Sequence, residues 1–433
     1  MPRPVPLPPR LRVTTREVET IEDVLEHAAP ENPTVWSRRG DVLIGHGRAA
    51  GMSSTAVGRH AAGASHAAAA AHWWRELSAL AEVDDRVGLP GTGLVAFGAL
   101  PFDAASAHAG RLTVPRHVVG RRGGRSWVTT IVPVDADAAG PGIPPRTPFG
   151  PHWSATLGPG ALTPEGYQSA VRAGLAAIAA GEVGKVVLAR DLVGSIPSGA
   201  DLRRLVRALA SDYPDTWTYA VDGMIGASPE TLVTVSGGTV TARVLAGTIA
   251  RGADADADTA ASVALATSAK DLDEHEYAVQ SVLAALRPHT SALAAGEQPF
   301  MLKLPNVWHL ATDVEGALED RSSALDLVGA LHPTAAVAGT PTDAAIRVIR
   351  RLEPFDRGRY AGPVGWIDAH GDGEWAIALR CAQFDLDASP ADGVSGRIPL
   401  VAHAGAGIVA GSDPEAELLE TRVKFRPIVD ALA

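Results

Sequence analysis

The chain has 433 residues, 46% hydrophobic and 20% charged, which supports a large core and excludes a disordered protein. Its 38 basic and 49 acidic residues leave a net charge of −11, which argues against a nucleic-acid groove or an anionic membrane surface as main partner. The lone cysteine, Cys381, excludes an internal disulfide and a cysteine-rich zinc site, and no apolar run is long enough to span a bilayer. With no apolar signal-peptide core in MPRPVPLPPR, a cytoplasmic protein is expected.

Residues 1–12, punctuated by proline, read as a flexible, partly extended tail. From Val13 to about Val134, short apolar runs alternate with turns. His60–Leu80 is an alanine-rich helix in composition. Its His60, His66 and His72 are six apart, which sets successive members on different faces and speaks against a metal site there. Gly93–Leu100 and Trp127–Val134 read as strands. Asp135–Trp153, rich in Gly and Pro, is the best internal boundary, either a connecting loop inside one fold or a linker between two.

Beyond it, Thr163-Pro164-Glu165 opens a helix that Gly181 ends. Strands are expected at Lys185–Val193, Thr216–Val221, Thr231–Val235 and Thr239–Leu245, and again near Val307–Val314, Gly362–Asp368, Trp375–Phe384 and Ile398–His403. Helices are expected at Asp201–Ser211, Ser268–Leu286 and Thr342–Leu352. Strands grouped in this way, rather than alternating strictly with helices, favour an α+β fold with large antiparallel sheets.

Chemistry gathers at a few places. In AGAGIVAGSDPEAELLETRVK, Ala404–Lys424, the turn Gly405-Ala406-Gly407 lets backbone approach a ligand closely. Ser412-Asp413-Pro414-Glu415 reads as a helix start with a hydroxyl or carboxylate cap. In that helix Ala416, Leu419 and Val423 share an apolar face, while Glu417, Glu420 and Lys424 line another. Asp271 and Glu274 repeat the three-residue spacing of Glu417 and Glu420 on a second helix. Two such pairs facing each other suit one Mg²⁺, a hard cation that takes oxygen ligands. The plain alternative is a solvated face with a Glu420–Lys424 pair.

His275 reads as a helix-surface or capping histidine rather than a ligand. Lys185, at the mouth of an apolar strand, is either a solvated end charge or, if desolvated near arginines, a base. Glu230, after the turn Gly226-Ala227-Ser228-Pro229, is either a turn glutamate or a desolvated general acid. Gly247 and Thr248 offer a close-approach glycine beside a hydroxyl. Arg380, inside AIALRCAQF, needs a partner, and a substrate carboxylate is a good candidate.

GEVGKVVLAR, GASPE, RVLAGT, SAKDLDEHEY, WHLATDVEG, LHPTAAVAGTP, EPFDRGRYAGPVGW, GEWAIALR and the Ala404–Lys424 block occur in an order that resembles the chorismate-utilising enzymes. The resemblance covers about Thr163–Val429, with a fainter echo in GLVAFGALPFD. It implies one α+β unit of two stacked antiparallel sheets with helices outside and the site in a cleft. Residues 13–153 would be the N-terminal part of that fold and 154–433 the chorismate-binding catalytic region.

Within the family, the residues look like those of isochorismate synthases. Ala246 stands where aminodeoxychorismate synthases carry a lysine, so water is the expected nucleophile and no glutaminase subunit is expected. Glu276-Tyr277-Ala278-Val279-Gln280 replaces the leucine-rich stretch of anthranilate synthases, and the LHPT and GPVGW blocks depart from salicylate synthases. Ala335 departs from the proline often found after LHPT.

The resemblance implies that Lys185 activates water for attack at C2 of chorismate and that Glu230 protonates the departing C4 hydroxyl. It implies Mg²⁺ on Glu274 and Glu420, with Asp271 and Glu417 in or near its shell. Arg380 and Lys424 would hold carboxylates, Gly247, Thr248, Tyr360 and Gly405 would shape the pocket, and His309 would approach the ring. A monomer is expected, serving menaquinone or siderophore synthesis. A salicylate synthase and a non-catalytic chorismate-binding subunit are the alternatives.

Overall fold

The structure is a computed structural model that describes residues 8–54, 65–136, 142–387 and 396–433. Its strands form one 13-stranded and one 10-stranded sheet, almost wholly antiparallel; Leu11–Val18 with Glu82–Asp85 is a parallel pair. This is the expected α+β fold with two large sheets.

Residues before and after the Gly/Pro-rich stretch share both sheets. In the larger, Trp217–Val221 pairs with Thr34–Arg38. In the smaller, Pro363–Asp368 pairs with Val95–Ala99. Trp36, Trp127, Trp366 and Trp375 are fully buried and anchor a core built of alternate inward residues from both sheets. Gly120 lies under one of these indoles: a Cβ there would sit 2.2 Å from the Trp127 ring, so only glycine lets the two strands approach.

Most expected elements appear within a few residues of their expected ends, and four differ in instructive ways. The tail expected over 1–12 stops short, because Leu11 already opens the strand Leu11–Val18 and is fully buried, alternating inward with Val13 and Thr15. The helix expected from His60 is described as His66–Leu80; His60 lies outside the described residues. Trp375–Phe384 is not one strand: Gly373–Ile377 belongs to the smaller sheet and Cys381–Phe384 to the larger. The chain crosses between sheets at Leu379-Arg380, where Arg380 takes φ of 50°. A left-handed residue with a Cβ costs about 1–2 kcal/mol, and here it turns the side chain into the cleft.

The fourth difference concerns the last helix, Pro414–Leu432. Asp413 caps it, accepting from the N–H groups of Glu415 and Ala416, while Ser412 Oγ accepts from Val409 N–H. Its buried face is Leu418, Thr421, Phe425, Ile428 and Leu432; Leu419, expected on the apolar face, is 50% exposed. The true stripe also buries Glu417, which turns the acidic row toward the interior.

Candidate active site

Every site residue named from the sequence lies on one cavity of about 250 Å³. Its floor is the strand Lys185–Pro197, paired with Arg397–Ile408 so that Val187 faces Gly407 and Ala189 faces Gly405. The glycine at 407 makes room: a Cβ there would lie 3.0 Å from Lys185 Cε and 3.5 Å from Glu274 Oε1. Lys185 is thereby free to donate to Glu274 at 2.5 Å, and both side chains are nearly buried. Lys185 is no solvated end charge.

On the last helix the expected Glu420–Lys424 pair forms at 2.6 Å, and Lys424 also donates to the Gly405 carbonyl at 3.0 Å. The pair belongs to the cavity wall rather than to a solvated face. Glu417 beside it is 8% exposed, and burial, with the Glu420 charge second, pushes its carboxyl up to about 7. Glu230 is 6% exposed and likewise pushed up to about 7 by burial, against the pull of Lys185, Arg380 and Lys424. Burial thus favours the protonated form near neutral pH, the form a general acid needs.

The opposite wall comes from the strand Thr239–Ala250, whose pairing with Val307–Leu318 slips between Ala246 and Thr248. Gly247 sits in that bulge at φ 80°. The bulge brings Thr248 Oγ1 within 2.9 Å of His309 Nδ1. Burial holds the His309 imidazole neutral, and its Nε2 has no hydrogen-bond partner among the described residues. Tyr360 is stacked on His403 with ring centroids 5.0 Å apart, which fixes its orientation at the cavity edge. The Arg380 guanidinium forms no ion pair among the described residues and opens onto the cavity.

Four residues with roles here went unassigned or were misread in the sequence. Lys270 lines the cavity beside Asp271. Arg357, from EPFDRGRY, is buried, paired with Glu353, and donates to the carbonyls of Val187 and Val337. Glu353 in turn accepts from Ala189 N–H at 2.8 Å, so this pair fixes the strand of Lys185 to the loop before Gly339. An arginine and a glutamate four apart in a block of known order were the available signal. His275 is neither a surface nor a capping residue: it is 2% exposed and bonded to Ala246 and Thr312.

Among the described residues, no three acidic, histidine or cysteine side chains stand close enough to ligate one ion as placed. Glu274 and Glu420 are each held by a lysine, and the Asp271 carboxylate accepts from the Ser268 hydroxyl that caps its helix. The donor chemistry nevertheless fits a hard divalent cation. Four carboxylates line the same cavity, and a cation among them would oppose the burial and the Glu420 charge that push Glu417 up to about 7.

A fold of two antiparallel sheets with an acid, a lysine, an unpaired arginine and four carboxylates in one cleft defines a class, an enzyme acting on a small anionic molecule. Residues 151–433 match the family model described as chorismate binding enzyme. The chain is 39% identical over 356 residues to a putative isochorismate synthase MenF of Mycobacterium tuberculosis, covering 79% of this chain and 87% of that one. It is 43% identical over 281 residues to the isochorismate synthase DhbC of Bacillus subtilis, covering 62% and 68%. The crystal structure of a putative 2,3-dihydroxybenzoate-specific isochorismate synthase, DhbC from Bacillus anthracis, superposes with a TM-score of 0.72 at 30% identity, covering 94% and 98%. The chain belongs to the chorismate-binding enzyme family, and within it these relatives carry the name isochorismate synthase.

Proposed function

We propose that the protein converts chorismate to isochorismate, joining water at C2 and releasing the C4 hydroxyl. The observation that supports this most is Lys185 and Glu230 on one cavity, with Glu230 burial-shifted so that it can hold a proton near neutral pH. With Lys185 as the neutral amine, released from its pair with Glu274, water's oxygen bonds to C2 as Nζ takes one of water's protons. The ring double bonds shift, the C4–oxygen bond breaks, and Glu230 delivers its proton so that the hydroxyl leaves as water. Arg380 and Lys424 bind the carboxylates and set C2 toward the lysine. Glu274 and Glu420, with Asp271 and Glu417 beside them, would hold Mg²⁺, which would supply positive charge against a substrate carboxylate.

Ala246 lines the cavity with a methyl group only, so this position offers no amine to compete with water. Proton NMR of chorismate incubated with the protein and Mg²⁺ is expected to show isochorismate, with no pyruvate and no fluorescent salicylate. Added ammonium is expected to leave the product unchanged. An aminated ring would overturn the reading of Ala246, and pyruvate release would convert the assignment to salicylate synthase.

Arg380→Met is expected to raise KM for chorismate at least about thirtyfold, since an unpaired buried carboxylate contact costs about 2–5 kcal/mol. Arg380→Lys keeps the charge but loses the planar fork, and is expected to fall between. Steady-state kinetics decide, and an unchanged KM in the methionine variant removes Arg380 from carboxylate binding.

The protein acts as a monomer in the cytoplasm, without a glutaminase subunit, and its product serves menaquinone or siderophore synthesis. No helix among the described residues is long and apolar enough to cross a membrane.

A further inference from the structure

The helix Ala269–Leu286 carries Asp271 and Glu274 in its first two turns, yet those turns have little to hold them down. Its buried residues are His275, Ala278, Val279, Val282 and Leu286, so from Ala269 to Tyr277 His275 alone is buried. The imidazole lies between two strands. Its Nδ1 is 3.1 Å from the Ala246 carbonyl and its Nε2 is 2.8 Å from Thr312 Oγ1. A carbonyl only accepts, so Nδ1 carries the proton and Nε2 accepts from the threonine hydroxyl.

Ala246 is the residue at which the strand pairing slips to form the bulge. A second contact seats the helix at the same spot: a Cβ added to Gly247 would lie 3.3 Å from Asp271 Cβ. The bulge thus carries the Thr248–His309 pair on one side and the acidic helix on the other. A shift of these first two turns alone would move Glu274 away from Lys185 without exposing a large apolar side chain, because Val279, Val282 and Leu286 lie further along the helix.

We propose that His275 is a positioning residue: its two hydrogen bonds lock the acidic helix to the bulge and so set where Asp271 and Glu274 point. The part of this that concerns a cation rests on the Mg²⁺ reading above. Groups that orient ligands in this way commonly change metal affinity or turnover 10–100-fold when removed.

The test compares the parent with His275→Leu, His275→Asn and Thr312→Val. Asparagine keeps a donor for the Ala246 carbonyl, leucine keeps bulk alone, and Thr312→Val removes only the Nε2 partner. The measurements are calorimetric Mg²⁺ binding to substrate-free protein, kcat and KM for chorismate, and melting temperature. His275→Leu is expected to weaken Mg²⁺ binding and lower kcat by about 10–100-fold, with KM changed less than about threefold, since Arg380 and Lys424 are untouched. His275→Asn is expected to restore most of both losses, and Thr312→Val to show a smaller loss of the same pattern.

A leucine variant that melts lower but keeps parental metal affinity and kcat overturns the proposal, leaving a core histidine. So does an asparagine variant no better than leucine. If leucine at 275 prevents folding, Thr312→Val decides: parental affinity and kcat in it overturn the proposal. A parent that binds no Mg²⁺ overturns the metal reading instead, and His275 is then judged on the kcat loss and its rescue by asparagine.

Discussion

Lys185→Ala is expected to lower turnover at least about a hundredfold, and Glu230→Gln similarly, because a positioned acid or base contributes about 10²–10⁴. Both variants should still bind chorismate, since the carboxylate contacts of Arg380 and Lys424 remain. Near-parental turnover in either removes that residue from the mechanism. The pH profile separates the two roles. Glu230 must be protonated to act, and burial has moved it up to about 7, so kcat is expected to fall as pH rises above about 7.

The same carboxyl gives a stability signature that does not depend on activity. Its folded value of about 7 lies above its ordinary 4.5, so between those values the folded chain holds a proton that the unfolded chain has lost. Stability from this group is therefore fully present below about 4.5 and is lost as pH rises through 7. A shift of this size corresponds to about 3 kcal/mol. Glutamine has no proton to lose. Glu230→Gln is thus expected to gain on the parent by up to about 3 kcal/mol between pH 5 and pH 8 in denaturant unfolding. Glu417 titrates alike in both proteins and cancels. A difference that stays flat with pH would show that Glu230 is not desolvated.

What the sequence disclosed and what it withheld divide along a physical line. Local chemistry was legible: the proline and cap at Thr163-Pro164 and the acids three apart on two helices depend on neighbours in the chain. Gly405-Ala406-Gly407, read as a turn, instead lies inside the strand Arg397–Ile408, its glycines chosen for close approach rather than for turning. Alternation gave most strands, but it could not show that Trp375–Phe384 leaves one sheet for the other, because both halves are buried and read as one apolar run. Leu419 illustrates the same limit. Several rotations of the last helix bury some leucine, and only the strand beneath selects the one that buries Leu418 with Glu417.

Long-range pairs were out of reach of periodicity altogether. Lys185 and Glu274 are 89 residues apart, and their contact depends on a glycine at 407. The sequence placed both at one site through family resemblance, not through spacing. The buried state of Glu230 is of the same kind: a glutamate after a turn is ordinarily solvated, and here strands on either side enclose it. His275 was misread because a histidine among Asp, Glu and Tyr on a helix resembles a surface residue. Its partners, Ala246 and Thr312, lie 29 and 37 residues away.

Mg²⁺ is expected to raise the melting temperature, and Glu420→Gln to abolish that rise. A ligand that binds only the folded chain stabilises it by an amount that grows with concentration, about 2.7 kcal/mol at a hundred times its dissociation constant. The acids that would receive the ion are not idle without it. Glu420 is held by Lys424 and Glu274 by Lys185, so the cation must displace two ammonium groups. Glu417 is pushed up to about 7 by burial and the Glu420 charge, so below that pH the cation must displace a proton as well. Metal binding therefore releases a proton, and affinity is expected to rise with pH through about 7. The stabilisation by Mg²⁺ should accordingly be larger at pH 8 than at pH 6. Glu417→Gln should remove most of that pH dependence while keeping part of the stabilisation, if the group reaches the ion through water. Glu274→Gln is a poorer test, because it also frees Lys185. The decisive measurement is thermal unfolding of the parent, Glu417→Gln and Glu420→Gln over a range of Mg²⁺ at both pH values. A full parental response in Glu420→Gln would show that the row of acids on the last helix binds its own lysine and nothing else.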